Sequence, residues 1–182
     1  MKSFVFLMTF VAAYCKSQTL PLDTILKNIP QGAYVKDLNH ELDSFIGIYK
    51  SNFEGNEITL YITKQENKLE RSTGKTYYLD ALIIKYIVKN NSGITLQDTQ
   101  NSNMSDIELY SIATRPYENK IIFYYSGTHC GMGWGSIILK RINNNNQILW
   151  DYQPNSGALS KDCNADKTVY LPETDNLIFT KQ

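Results

Sequence analysis

From residue 45 onward, apolar and polar residues alternate over most of the chain, the period-two rhythm of strands with one buried face. Phe45 to Phe53 and Glu57 to Gln65 form two such runs, separated by Glu54-Gly55-Asn56, a glycine-containing connection of hairpin length. From Thr76 to Lys89, a row beginning Tyr77, Leu79, Ala81 interleaves with one beginning Tyr78, Asp80, Leu82, which predicts one long, bulged strand. Asn90-Asn91-Ser92-Gly93 reads as a turn, Ile94 to Gln97 as a short strand, and Asp98 to Ser105 as a mobile polar loop. Ile107 to Ala113 and Lys120 to Tyr125 follow, joined across residues 115–119. Trp134 to Ile142 and Gln147 to Tyr152 flank the turn Asn143-Asn144-Asn145-Asn146, and Leu177 to Lys181 is the last strand.

Residues 18–44 lack that rhythm. Pro21 and Pro30 limit regular structure there, and the pattern predicts only short helices near Asp23 to Lys27 and Lys36 to Asp43. About nine closely spaced strands predict a mainly β fold, a single antiparallel barrel or barrel-like sandwich, with the last strand placed to lie beside the first. No internal repeat and no linker divides residues 45–182.

Residues 1–17 read as a signal peptide. Lys2 supplies the positive start and Phe4 to Ala13 an apolar run too short for a bilayer span. Cys15 and Ser17 supply small side chains for cleavage before Gln18. A lipid anchor on Cys15 is the alternative, with Tyr14 too bulky for the small residue such a site favours. The expected location is therefore periplasmic or extracellular, without a transmembrane span. Loss of Lys2 and Lys16 turns 18 basic and 18 acidic residues into 16 and 18. A near-neutral chain with scattered bases argues against a nucleic-acid partner.

Two cysteines follow the signal, Cys130 and Cys163, an even number in an oxidising compartment and so an expected disulfide. The densest chemistry surrounds the first of them, in Ser126-Gly127-Thr128-His129-Cys130-Gly131-Met132-Gly133-Trp134-Gly135. One reading is a strand corner tied down by the disulfide, with Trp134 in the core. The other is a binding loop that offers Thr128, His129, Met132 and Trp134 at the mouth of a barrel. The segment is neither a Walker loop nor a dinucleotide fingerprint. His129 is a poor partner for its neighbour Cys130, because adjacent residues on a strand point to opposite faces. His40 and His129 are the only histidines, too few for an expected metal site, and no cofactor is predicted. His40 reads as a solvated residue. The adjacent pairs Tyr77-Tyr78 and Tyr124-Tyr125 should each set one ring inward and one outward.

Phe45-Ile46-Gly47-Ile48-Tyr49-Lys50 resembles the opening of lipocalin-like barrels, with Tyr49 where those proteins usually carry Trp. A longer likeness runs through Ala33-Tyr34-Val35-Lys36-Asp37-Leu38-Asn39, Leu42-Asp43, Gly47, Tyr78-x-Asp80 and Leu171-Pro172-Glu173. These phrases resemble an uncharacterised family of small secreted Bacteroidota proteins, a domain of unknown function, which implies a compartment and no activity. Three functions compete. A non-enzymatic barrel could hold a small apolar or amphipathic ligand, and a secreted or envelope interaction module or inhibitor could use the loop around Trp134. A hydrolase, the third, requires His40 or His129 beside a nucleophile and a carboxylate.

The disulfide is directly testable. Cys163→Ala should lower the melting temperature by several degrees and release one titratable thiol, since closing such a loop contributes about 3–4 kcal/mol. Two free thiols in the exported wild type would rule the bond out.

Overall fold

The computed structural model describes residues 18–101, 107–155 and 164–182. The signal peptide, with Cys15, and Cys163 lie outside these residues. Within them the chain forms β1 (Thr19–Pro21), β2 (Tyr34–Lys36), β3 (Gly47–Phe53), β4 (Asn56–Ser72), β5 (Lys75–Lys89) and β6 (Thr95–Asp98). It continues with β7 (Leu109–Arg115), β8 (Lys120–Tyr125), β9 (Gly135–Ile142), β10 (Gln147–Pro154) and β11 (Thr174–Lys181).

Eight of these strands close into an antiparallel barrel in the order β5-β4-β3-β11-β10-β9-β8-β7, with β7 returning to β5. Apart from β6, which pairs only with β5, this is a meander, and the last strand lies beside β3 as the alternation predicts. The closing seam is thin. β5 and β7 are in register only at Ile83 and Tyr110, reinforced where the Leu82 N–H donates to Ser111 Oγ at 2.8 Å. Past the seam, Thr99 grips β5: its hydroxyl accepts the Tyr86 N–H at 2.7 Å and its own N–H donates to the Tyr86 carbonyl at 2.9 Å. Thr99 is buried, so the start of the expected mobile loop is instead anchored to the barrel wall.

Large side chains occupy the inward positions. Tyr49, Leu60, Tyr86, Phe123, Tyr125, Trp150 and Phe179 are each fully buried. Trp150 lies 5.6 Å from Phe179 between ring centroids, and its indole N–H donates to the Pro172 carbonyl at 2.9 Å. Tyr125 meets Tyr152 edge-on at 5.8 Å, an arrangement aromatic quadrupoles favour. Tyrosine pairs divide as the strand period requires: Tyr77 and Tyr125 are buried, Tyr78 is exposed and Tyr124 partly so.

The short helices expected near 23–27 and 36–43 do not form. Single 3-10 turns stand at Leu26–Asn28 and Asp43–Phe45, and Tyr34–Lys36 is strand. The reason is local. The Asp37 carboxylate accepts the N–H groups of Glu41 at 2.8 Å and Leu42 at 3.3 Å, and His40 takes a left-handed φ of 56°. Such side-chain bonds to nearby backbone compete with helix formation.

A β-bulge between Gln65 and Lys68 bends the β4–β5 hairpin, and its far end leaves the barrel to pair with β2 and, through it, β1. Asp80, only 2% exposed, holds this junction. Its carboxylate accepts the Asn67 N–H at the bulge and the Asp37 N–H, each at 3.0 Å, and the Tyr34 hydroxyl. Burial and the Asp80 charge push the Tyr34 hydroxyl up to about 12. Beside it, Lys64 reaches Asp37 at 2.7 Å and Asp43 at 2.9 Å. Burial alone would lower the Lys64 ammonium, but the two carboxylates outweigh it and hold it above the ordinary lysine range.

Asp80→Ala takes the acceptor from three donors, the buried Asp37 N–H among them. It should cost more than about 2 kcal/mol, and amides of residues 67–79 should exchange faster than those of β8–β10 in hydrogen-exchange mass spectrometry. Uniform protection across both regions would show that Asp80 does not hold the hairpin in place.

Candidate functional site

The bent end of the β4–β5 hairpin comes back over the outside of β7 and β8. Lys68 sets its ammonium 3.6 Å from the centroid of the Tyr110 ring, whose edge-on partner across the strands is Tyr124, at 5.6 Å. Along β8, Ile121, Phe123 and Tyr125 belong to the barrel core, so Ile122 and Tyr124 face outward. A groove of about 820 Å³ remains between these surfaces. Its floor is the outer face of β7–β8, one wall is the hairpin with Glu70 and Tyr77, and the other is the N-terminal segment with Ile25 and Leu26. Small-ligand pockets span about 300–1,000 Å³, mostly apolar with a few convergent polar groups, and this groove fits both criteria.

Four of its polar side chains, Glu70, Tyr77, Tyr110 and Thr114, are buried. Glu70, directly across from Tyr77 in the hairpin, is 8% exposed and pairs with Lys68 at 3.4 Å. Tyr77 is buried, and desolvation together with the Glu70 charge pushes its hydroxyl up to about 12. Tyr110 is raised further, by burial first and then by Glu70 beside it. The exposed lining mixes apolar side chains, Ile25, Ile112 and Tyr117 on the turn Pro116–Glu118, with the charged Asp23, Arg71, Glu108, Arg115 and Glu118.

The glycine-rich loop is a rigid cap. Gly127 and Gly133 take φ of 88° and 68°, and a Cβ at Gly133 would lie 2.7 Å from both the Tyr152 hydroxyl and Val169. Tyr152 donates its hydroxyl to the Gly133 carbonyl, and Thr128 donates its N–H to the Met132 carbonyl at 2.7 Å. Thr128 is buried and structural. Its hydroxyl accepts from Gln97 Nε2 at 2.9 Å, and Gln97 Oε1 accepts the Tyr86 hydroxyl at 2.8 Å. His129 and Met132 are half-buried, and Cys130 is exposed. Trp134 is not a core residue, at 42% exposure. The buried parity of β9 runs through Gly135, Ile137 and Leu139, which sends the ring at 134 outward.

His40 bonds Asp43 Oδ2 at 3.0 Å through Nδ1 on an exposed turn, not in a concave site. Among the described residues no group of three or more His, Cys, Asp or Glu is placed to hold a metal ion, and no helix is long and apolar enough to cross a membrane. The groove was missed in the sequence because its residues come from four separate segments and share no spacing. Its one local trace is the pairing of Glu70 with Tyr77, whose register depends on the bulge.

A family of unknown function, DUF6705, matches residues 1–182. The chain belongs to DUF6705. No curated protein and no solved structure matches this DUF6705 chain.

Displayed aromatics carry little folding energy. Trp134→Ala should cost under about 1 kcal/mol, whereas Trp150→Ala, which empties a buried site, should cost about 3–5 kcal/mol; chemical denaturation of the two variants measures both. Equal costs would mean that Trp134 packs as a core residue.

Proposed function

We propose that this is an exported, non-enzymatic binding protein that takes a small amphipathic ligand in the groove on the outer face of β7–β8. The observation that carries this reading is the pairing of an 820 Å³ groove, walled by Tyr77, Tyr110 and Tyr124, with a carboxylate only 8% exposed. Burying an ionised group is costly, and a fold that does so beside an open apolar groove has a polar contact ready for a guest. The eight-stranded meander is in keeping with a lipocalin-like protein, but its ligand would sit against the barrel wall because the inward positions carry fully buried rings.

A second reading rests on Trp134. A ring 42% exposed on a loop braced by Tyr152 suits an anchor for a protein partner, making the chain an interaction module or inhibitor.

The two readings separate by mutation. Nile red, a neutral apolar dye, should bind saturably at one site, and Ile112→Arg or Tyr124→Arg should weaken it about tenfold or more while Trp134→Ala leaves it unchanged. Native mass spectrometry of protein purified from its own host should show an added mass lost on denaturation. Dye affinity indifferent to Ile112 and Tyr124 would overturn the groove reading.

A further inference from the structure

A cation already rests against two residues that line the groove, Glu70 and Tyr110. Lys68 places its ammonium 3.6 Å from the Tyr110 ring centroid and 3.4 Å from Glu70 Oε2, with the lysine side chain 17% exposed and the glutamate 10%. This is the chemistry by which an amine is recognised, a cation on an aromatic face beside a carboxylate. The ion pair itself is loose, since charge-assisted N–H···O bonds settle near 2.7–2.9 Å. Beyond the pair, the acids lining the groove, Asp23, Glu108 and Glu118 beside Glu70, outnumber the bases Arg71 and Arg115. The Tyr77 hydroxyl, in a residue 5% exposed, makes no hydrogen bond among the described residues and lines the same end of the groove as Glu70.

Resting on the reading of this groove as a ligand site, we propose that its ligand is an amphipathic amine whose cationic head replaces the Lys68 ammonium between Glu70 and Tyr110. The apolar body then lies along Ile112, Ile122 and Tyr124 toward Ile25. Lys68 acts as an internal stand-in for the head group. In the empty protein it neutralises a buried carboxylate whose other neighbour is the Tyr110 hydroxyl, and on binding its flexible stem carries the ammonium out to water. No covalent step is involved. The Tyr77 hydroxyl is placed to accept an N–H of the incoming head.

Three probes with the same tail and different heads test this: decylamine, decanol and decanoate, titrated calorimetrically into the full-length mature protein at pH 7 below their aggregation concentrations. The amine should bind about tenfold tighter than the alcohol, and the acid weakest. Glu70→Gln should erase the amine's advantage while leaving decanol affinity within twofold. Lys68→Met, which removes the competitor, should raise amine affinity severalfold; thermal melts of both variants check folding. Equal binding of the three probes, lost in Ile112→Arg, would overturn the amine proposal and keep the groove. Tightest binding of decanoate would reverse the sign and overturn it equally. Binding of none of the three would overturn both.

Discussion

Everything distinctive about this barrel depends on the buried carboxylate of Asp80. An ionised group this deep is stable only when hydrogen bonds replace its lost hydration, and three donors do so: Asn67, Asp37 and Tyr34. Each comes from a different part of the chain. Asn67 belongs to the bulge, Asp37 opens the loop that replaces a helix, and Tyr34 lies in the parallel strand that docks on β5. One side chain thus bends the β4–β5 hairpin and fastens the N-terminal segment to its far end. Without that bend, β4 would run straight past the barrel rim and the outer face of β7–β8 would stand open. The groove is a consequence of the fold's polar junction, at a distance from the apolar core.

The apolar core serves another purpose. Rings at Tyr49, Tyr86, Phe123, Tyr125, Trp150 and Phe179 fill the inward positions. Of their three hydroxyls, the buried one of Tyr49 has no partner among the described residues, and the other two are paired within the barrel, where Tyr86 meets Gln97 at 2.8 Å and Tyr125 at 3.2 Å. That chain continues through Gln97 to Thr128, so the glycine-rich loop is joined to the interior by hydrogen bonds as well as by packing. Positive φ angles and close backbone approach explain its glycines without any ligand. The same loop displays the Trp134 ring one residue after Gly133, which Tyr152 and Val169 pack against.

Strand rhythm was plainly legible. β8 runs from Lys120 to Tyr125 as the alternation predicts, and β5, β9 and β10 begin or end within about two residues of their expected limits, the usual uncertainty of such boundaries. Closure beside the first barrel strand was also readable, because a meander of this length has few other ways to cover its edges. The far half of β4 was not. Glu66 to Ser72 is polar except for the exposed Leu69, since one side of the hairpin end meets solvent and the other sets Glu70 against the groove, and alternation carries little signal there. Helices near 23–27 and 36–43 were expected from the residue pattern, but in the second segment Asp37 spends its carboxylate on the local backbone, and spacing alone does not reveal that. Trp134 was left open between core and display, and a parity count separates the two: stepping back by twos from Leu139 through Ile137 reaches Gly135, which leaves 134 on the outer face.

Groove and network together explain why charged residues sit so deep in a nearly neutral protein. At the Asp80 junction every buried charge is answered, with Lys64 shared between Asp37 and Asp43 and Asp80 held by three donors. At Glu70 the answer is partial, one lysine at 3.4 Å whose own head rests on an aromatic face. A purely structural pair would gain from a closer approach, and nothing in the β4 backbone forbids one, since Lys68 and Glu70 lie on the same face two residues apart. The pair stays open because the Tyr110 ring holds the ammonium back, dividing it between two weak attractions. Under the proposed reading, a cation divided in that way is the one an incoming amine would displace.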